Sequence, residues 1–323
     1  MENITKLEAF EEFPYNLVEW KLHDRCNYDC YFCGDENKLG RDGWADLETN
    51  KKIVDSIVAS ATKPLWIQLT GGEPTLYPHF LELVKYMKSK GAMVRIITNG
   101  SRTMRWWKEV READVLDLIY FTFHSQQNAS YKHIAEVSNL FLDSETVTIT
   151  LVTYVPNTLG YAIEGAAYLT EHTGSYISMN AMDLRPAAEE EKQYNEDEFE
   201  KALNVYNSAI GKLIDIKKPT SIPDKLLAIP GDSTIYYNNG SVETKDVTLM
   251  MKLGENRFQE WMCYAGMDSM NIDGKFKYRG GCKRDKTPFE PGKLTFFDKP
   301  FKCDVDACYC AMDMITTKIK DTG

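Results

Sequence analysis

Cys26-Asn27-Tyr28-Asp29-Cys30-Tyr31-Phe32-Cys33 is the stretch on which the reading of this chain turns. Three thiols at the spacing C-x3-C-x2-C follow directly on an apolar, β-branched run, Leu17–Leu22, that reads as a strand. Thiolates from one short loop suit three irons of a cubane iron–sulfur cluster and leave the fourth iron open to a small chelating molecule. Two other readings of the same residues are a zinc site and plain buried cysteines. Structural zinc usually takes four protein ligands in paired spacing, a poorer match to this triple.

Outward from that loop, strand-like and helix-like stretches alternate. Leu17–Leu22, Leu65–Thr70, Met93–Thr98, Leu118–Phe123, Thr146–Val155 and Tyr176–Leu184 are rich in β-branched and aromatic residues. Between them Asn50–Ala61, His79–Lys90, Arg102–Ala113, Ala129–Leu142 and Leu159–Thr173 carry helical periodicity. This alternation predicts an α/β fold with a parallel sheet covered by helices. Six such units are too few for a closed eight-stranded barrel, which leaves a partial barrel or an open doubly wound sheet.

After Pro186 the character changes. An acidic helical stretch near Glu196–Leu213 reads as a solvated face, a Lys/Pro-rich connection follows, and Asn238-Asn239-Gly240 supplies the turn of a β-hairpin, Thr234–Tyr237 with Ser241–Thr248. The expected domains are therefore residues 1–186, a connection over 187–249, and a small metal-dependent region at 250–323. None of the eight cysteines lies between 34 and 262; Cys263, Cys282, Cys303, Cys308 and Cys310 form a second group. The N-terminus lacks a basic region followed by an apolar one, so the cytoplasm is the expected compartment and a disulfide framework is not expected there. Two groups of thiols then suggest two metal sites. No apolar run is long enough for a membrane span. A formal net charge of −10 argues against nucleic acid as a partner, since that binding draws on Lys and Arg meeting phosphates.

The cysteine loop resembles the signature of the radical S-adenosylmethionine (SAM) superfamily, C-x3-C-x-Φ-C, with Phe32 at the aromatic position. The resemblance implies a partial (β/α)6 barrel in which Cys26, Cys30 and Cys33 hold a [4Fe–4S] cluster, and SAM chelates the open iron. Gly71-Gly72-Glu73-Pro74, at the end of the second barrel strand, resembles the GGEP motif that meets the SAM amino group. By the same resemblance Asn99 in Thr98-Asn99-Gly100-Ser101, His124 and Ser125 at the end of the fourth strand, and Arg185 near the end of the sixth are candidate SAM or substrate contacts. A plain turn for Asn99, a structural role for His124 and a surface salt bridge for Arg185 are equal alternatives. The fifth strand, ending in Val155-Pro156-Asn157, departs from the family's usual pattern.

The cysteines from 263 onward resemble the SPASM or twitch auxiliary-cluster region of one branch of that superfamily. Five cysteines suit one further [4Fe–4S] cluster, with Cys263, Cys282, Cys308 and Cys310 the preferred ligands and Cys303 a ligand or a spare; a four-thiolate zinc site is the alternative. The expected function is a radical SAM oxidoreductase that forms a 5′-deoxyadenosyl radical and abstracts hydrogen from substrate carbon. A small carbohydrate-like substrate is preferred to a peptide, because no separate peptide-recognition domain is seen before residue 15. A peptide- or protein-modifying maturase is the runner-up, and a non-catalytic metal-stapled binding protein is third. Flavodoxin or ferredoxin is the expected reducing partner.

Overall fold

A computed structural model describes residues 3–9, 15–33, 40, 45–127, 129–155, 158–181, 232–308 and 311–320. The acidic helical stretch, the Lys/Pro connection, Arg185 and Cys310 lie outside the described residues. The chain divides into two compact units. One comprises Lys21–Leu47 with Gln68–Ser221; the other comprises Met1–Trp20, Glu48–Ile67 and Ile222–Gly323.

The elements run β1 (Ile4–Ala9), β2 (Asn16–His23), α1 (Leu47–Ser60), β3 (Leu65–Gly71), α2 (Phe80–Ser89), β4 (Met93–Thr98), α3 (Met104–Ala113), β5 (Leu118–His124), α4 (Tyr131–Asn139), β6 (Val147–Tyr154), α5 (Leu159–His172) and β7 (Tyr176–Ala181). After the undescribed stretch come β8 (Asp232–Tyr237), β9 (Val242–Asp246), α6 (Val247–Leu253), β10 (Met262–Cys263), β11 (Ser269–Asp273), β12 (Phe276–Arg279), β13 (Arg284–Pro288), β14 (Phe301–Lys302), α7 (Ala311–Ile315) and β15 (Lys318–Ile319).

In the unit built on Gln68–Ser221 the strands follow chain order, β3-β4-β5-β6-β7, and each pair from β4 to β7 is parallel. This is the α/β alternation of the sequence, and among the described residues no strand closes it into a full ring: it is a partial barrel. Val94, Ile96, Ile119, Phe121 and Phe123 are buried, as is Trp107 of α3, whose indole N–H donates to Gly100 O. Helices start where the sequence offers a cap: the Thr103 hydroxyl accepts from Trp106 N, and that of Ser130 from His133 N.

Two glycines set how closely the strand ends approach. A Cβ on Gly71 would lie 2.2 Å from His23 O, and one on Gly72 would lie 2.0 Å from Arg25 O. Gly71 also sits at a φ of +129°, which side chains rarely adopt. The backbones of β2 and β3 therefore meet through these glycines, joined by Gly72 N to His23 O at 2.9 Å and Glu73 N to Arg25 O at 2.7 Å.

In the other unit β1 lies between β15 and β8 in the antiparallel order β14-β10-β15-β1-β8-β9. The Asn238–Gly240 turn forms as the sequence predicts, with Gly240 at a φ of +84°. Strand β9 stops at Asp246, short of the expected Thr248, because the Asp246 carboxylate accepts from Leu249 N and starts α6. Leu7, Ile235, Val247, Met250, Phe258, Trp261, Cys308, Met314 and Ile315 share one core. The C-terminal region thus builds its core around an N-terminal strand instead of standing alone. Among the described residues no helix is long and apolar enough to cross a membrane.

Replacing Gly72 with Ala forces its methyl group into a backbone oxygen, an overpacking that relaxation of a flexible side chain cannot relieve. The expected loss is about 2–3 kcal/mol of unfolding free energy, read as a lower urea midpoint, with Gly160→Ala in α5, where a Cβ meets nothing within 4 Å and φ is not positive, as the control.

Candidate functional site

The site grows from the ends of β2 to β5. Glu73 follows β3 and is 1% exposed. Its Oε1 accepts from Thr75 N at 3.1 Å, Thr75 Oγ1 at 2.6 Å and Thr98 Oγ1 at 2.8 Å, and its Oε2 accepts from Asn99 N at 2.7 Å. Burial pushes the carboxyl up while these four donors pull it down. The carboxylate thus ties the end of β3 to the end of β4. It also caps the short 3-10 turn Pro74–Leu76, which Pro74 opens with its fixed φ.

Beyond β4, Asn99 turns toward the cysteine loop. Its Oδ1 accepts from Ser101 N at 3.0 Å, and its Nδ2 donates to Asn27 Oδ1 at 2.9 Å, with Cys26 Sγ at 4.0 Å. Asn27 Nδ2 in turn donates to Ser101 Oγ at 2.8 Å. Inside the loop Tyr28 N–H points at Cys26 Sγ at 3.4 Å, and Cys33 N donates to Cys30 O at 3.0 Å. Cys30 is 5% exposed, whereas Cys26 and Cys33 are half-buried.

From β5 come His124 and Gln126. His124 Nδ1 lies 3.7 Å from Cys30 Sγ, and Gln126 Nε2 lies 3.3 Å from the same sulfur and 3.2 Å from His124 Nδ1. The imidazole stacks on Phe32 at an interplanar angle of 12° and meets Tyr28 edge-on. Burial holds His124 down to about 4 and pushes the Tyr28 hydroxyl up to about 12, with Glu73, Cys30 and Cys26 adding to the latter. Burial also raises the Cys26 thiol. Ser125 is turned inward: its hydroxyl lies 2.9 Å from Thr153 O and 2.7 Å from Thr158 Oγ1.

The fold thus gathers Phe32, Asn99 and His124 with the cysteine loop, and gives Gly71, Gly72, Glu73, Pro74 and Ser125 structural partners of their own. Sequence reading missed Gln126, Thr75, Thr98 and Tyr28. Gln126 lies one residue past the strand-end pair already singled out, and a glutamine in a turn carries no signal by itself.

In the unit holding the C-terminal residues, Cys263 and Cys303 pack in one buried cluster with Ala265. Cys263 on β10 faces Lys318 on β15 across the register. Burial raises the Cys263 thiol against the pull of the Lys318 ammonium, and pushes the Cys282 thiol up to about 12, with Asp313, Cys263 and Cys308 close enough to add to it. The buried Asp313 carboxylate fixes the Cys282 turn, accepting from Gly281 N at 2.9 Å and Cys282 N at 2.7 Å. Among the described residues no three His, Cys, Asp or Glu side chains are already gathered round one point in either region.

Residues 20–141 match the family model of the radical SAM superfamily. This segment is similar to the radical SAM domains of a superfamily of enzymes. A protein described as a probable GTP 3′,8-cyclase from Thermococcus kodakarensis is 33% identical over 129 residues, which cover 39% of this chain and 41% of that one. A tungsten-containing aldehyde ferredoxin oxidoreductase cofactor-modifying protein from Pyrococcus furiosus is 33% identical over 105 residues, 32% of this chain and 29% of that one. The chain thus spans about two fifths of the length of the first relatives it matches. In structure it is similar to anSMEcpe with bound AdoMet and Kp18Cys peptide, with a TM-score of 0.56 at 15% identity over 86% of this chain and 78% of that one. It is also similar to Streptococcus suis SuiB bound to precursor peptide SuiA, with a TM-score of 0.56 at 13% identity over 87% of this chain and 63% of that one. These two likenesses establish fold.

His23, at the end of β2, gives the site a pH signature. It is buried, its Nδ1 accepts from Arg25 N at 3.1 Å, and burial holds it down to about 4 from 6.5. As pH falls from 6.5 toward 4 the unfolded chain takes up a proton that the folded chain refuses, so stability present above 6.5 is lost across that window. Between pH 7 and pH 5 the wild type is expected to lose about 1–2 kcal/mol more than His23→Gln. Urea titrations at the two pH values check this, and equal losses would contradict it.

Proposed function

We propose that this chain is a radical SAM oxidoreductase whose Cys26, Cys30 and Cys33 hold the SAM-binding [4Fe–4S] cluster. The observation that carries the reading is the convergence of three strand ends on that loop. β3 fixes its entry through Arg25 O, β4 reaches Asn27 and Cys26 through Asn99, and β5 brings amide and imidazole nitrogens to Cys30. A nitrogen donor aimed at a ligand sulfur, as Gln126 Nε2 is at Cys30 Sγ, suits a cluster whose charge it stabilises.

When bound, the cluster and SAM supply one-electron cleavage of the sulfonium and a 5′-deoxyadenosyl radical able to take hydrogen from carbon. The chain's own contribution is to bind and to enclose. Cys30 is buried beside His124, whose ring packs against Phe32 and Tyr28. Asn99 and the strap around Glu73 keep the loop in register with β4; the backbone at Gly71–Glu73, with His124, Ser125 and Arg185, is the proposed surface for SAM and substrate.

The barrel through residue 186 carries this chemistry in our reading, 187–249 connects, and 250–323 is the auxiliary region. Cys263, Cys282, Cys303 and Cys308 are the described candidates for a second [4Fe–4S] cluster, with Cys310 the further one and zinc the alternative metal. The packing of Cys263 with Cys303 favours Cys303 as a ligand over a spare. For substrate, the sequence leaned to a small carbohydrate-like molecule. The solved neighbours that extend beyond the barrel are described with a Kp18Cys peptide and with precursor peptide SuiA, and we take a peptide or protein as the better-supported class. Flavodoxin or ferredoxin as electron donor and the cytoplasm as compartment complete the proposal.

After anaerobic reconstitution the wild type is expected to hold about eight irons per chain, in two clusters, and to release 5′-deoxyadenosine from SAM under a reductant. Cys30→Ala should release none, and Cys263→Ala/Cys303→Ala should keep about four irons and the SAM cleavage. Cleavage by Cys30→Ala would overturn the assignment; about four irons plus zinc in the wild type would make the second site structural.

A further inference from the structure

Gln126 is not part of the cysteine signature or of any strand-end motif in the sequence, yet its amide nitrogen lies 3.3 Å from the sulfur of the most buried cysteine of the loop. That nitrogen carries two hydrogens, and two acceptors stand within reach of it, Cys30 Sγ and His124 Nδ1 at 3.2 Å. The opposite orientation of the amide would set its carbonyl oxygen against a thiolate, two electron-rich atoms within hydrogen-bond distance of each other. The same orientation leaves Gln126 Oε1 buried and without a hydrogen-bond partner among the described residues. An orphaned buried acceptor is costly, because its lost hydrogen bond to water is not replaced. A side chain retained for stability alone would not be held in this way, so the contact with sulfur calls for another explanation.

We propose that Gln126, by directing an amide N–H at Cys30 Sγ, is a positioning residue that sets the reduction potential of the SAM-binding cluster; this rests on the reading of Cys26, Cys30 and Cys33 as its ligands. Reduction adds one electron, taken from an external protein reductant or from dithionite in the assay, and no bond is made or broken at Gln126. The added negative charge spreads onto the ligand sulfurs. A donor already aimed at one of them stabilises the reduced state more than the oxidised state, and so raises the potential. The low dielectric around buried Cys30 leaves this interaction poorly screened. Asn99 makes no comparable contact, since its Nδ2 is engaged by Asn27 at 2.9 Å and stands 4.0 Å from Cys26 Sγ.

The test is a redox titration of the reconstituted full chain, followed by EPR in the absence of SAM, for the wild type, Gln126→Leu and Gln126→Glu. Leu keeps the approximate volume and removes the donor; Glu removes the donor and adds a negative charge. Gln126→Leu is expected to lower the reduced-to-oxidised ratio about tenfold at a fixed solution potential, a shift of about 59 mV for one electron, with iron content unchanged. Gln126→Glu should shift further in the same direction. Wild-type midpoints in both variants would overturn the inference, and so would failure of both to load iron, which would make Gln126 a folding residue. A wild type that forms no SAM-sensitive [4Fe–4S] signal would instead overturn the functional reading beneath it.

Discussion

The arrangement depends on one buried carboxylate. Glu73 is wrapped by four donors from Thr75, Thr98 and Asn99, and its own backbone N–H is held by Arg25 O. It sits where the ends of three strands must be kept at fixed separation, and no water is needed to satisfy it. Gly71 and Gly72 make the same demand in steric terms, because any side chain there would enter the backbone of the β2 end. A charge that is costly to bury is tolerated here because every neighbour is a donor.

From that joint the cysteine loop inherits its position. Its entry is pinned at Arg25, its middle at Asn27 through Asn99 and Ser101, and its most buried thiol faces nitrogens from the end of β5. Each anchor comes from the end of a different strand, which is where a parallel α/β sheet concentrates its functional groups. The hydrophobic core beneath, with Trp107, Phe121 and Phe123 buried, keeps those strand ends stationary. In the other unit the second group of cysteines is set on short strands and turns, and depends on β1, Asp313 and Lys318 for its frame.

The sequence made the parallel strands legible because each is a run rich in β-branched and aromatic residues; Met93–Thr98, largely buried on both faces, matches its expected bounds. Helix ends were legible to within a few residues wherever Thr103 or Ser130 stood ready to cap. Strand β1 was not, because ITKLEA is short, breaks alternation at Thr5-Lys6, and is given its place by β8 and β15, far along the chain. The cysteine loop and GGEP could be read because chemistry fixes their spacing. The partners of Glu73 and the approach of Gln126 could not, because Thr75, Thr98 and Gln126 are ordinary turn and strand residues whose meeting depends on tertiary register. The motif pointed to Glu73 as a ligand contact; the fold shows it also serving as a joint.

The central claim is that Cys26, Cys30 and Cys33 hold a cluster whose open iron takes SAM. EPR of the anaerobically reconstituted and reduced chain, recorded with and without SAM, tests it most directly. The account predicts a [4Fe–4S] signal whose shape changes when SAM is added. A reduced cluster signal indifferent to SAM, or no cluster on Cys26, Cys30 and Cys33 at all, would contradict it.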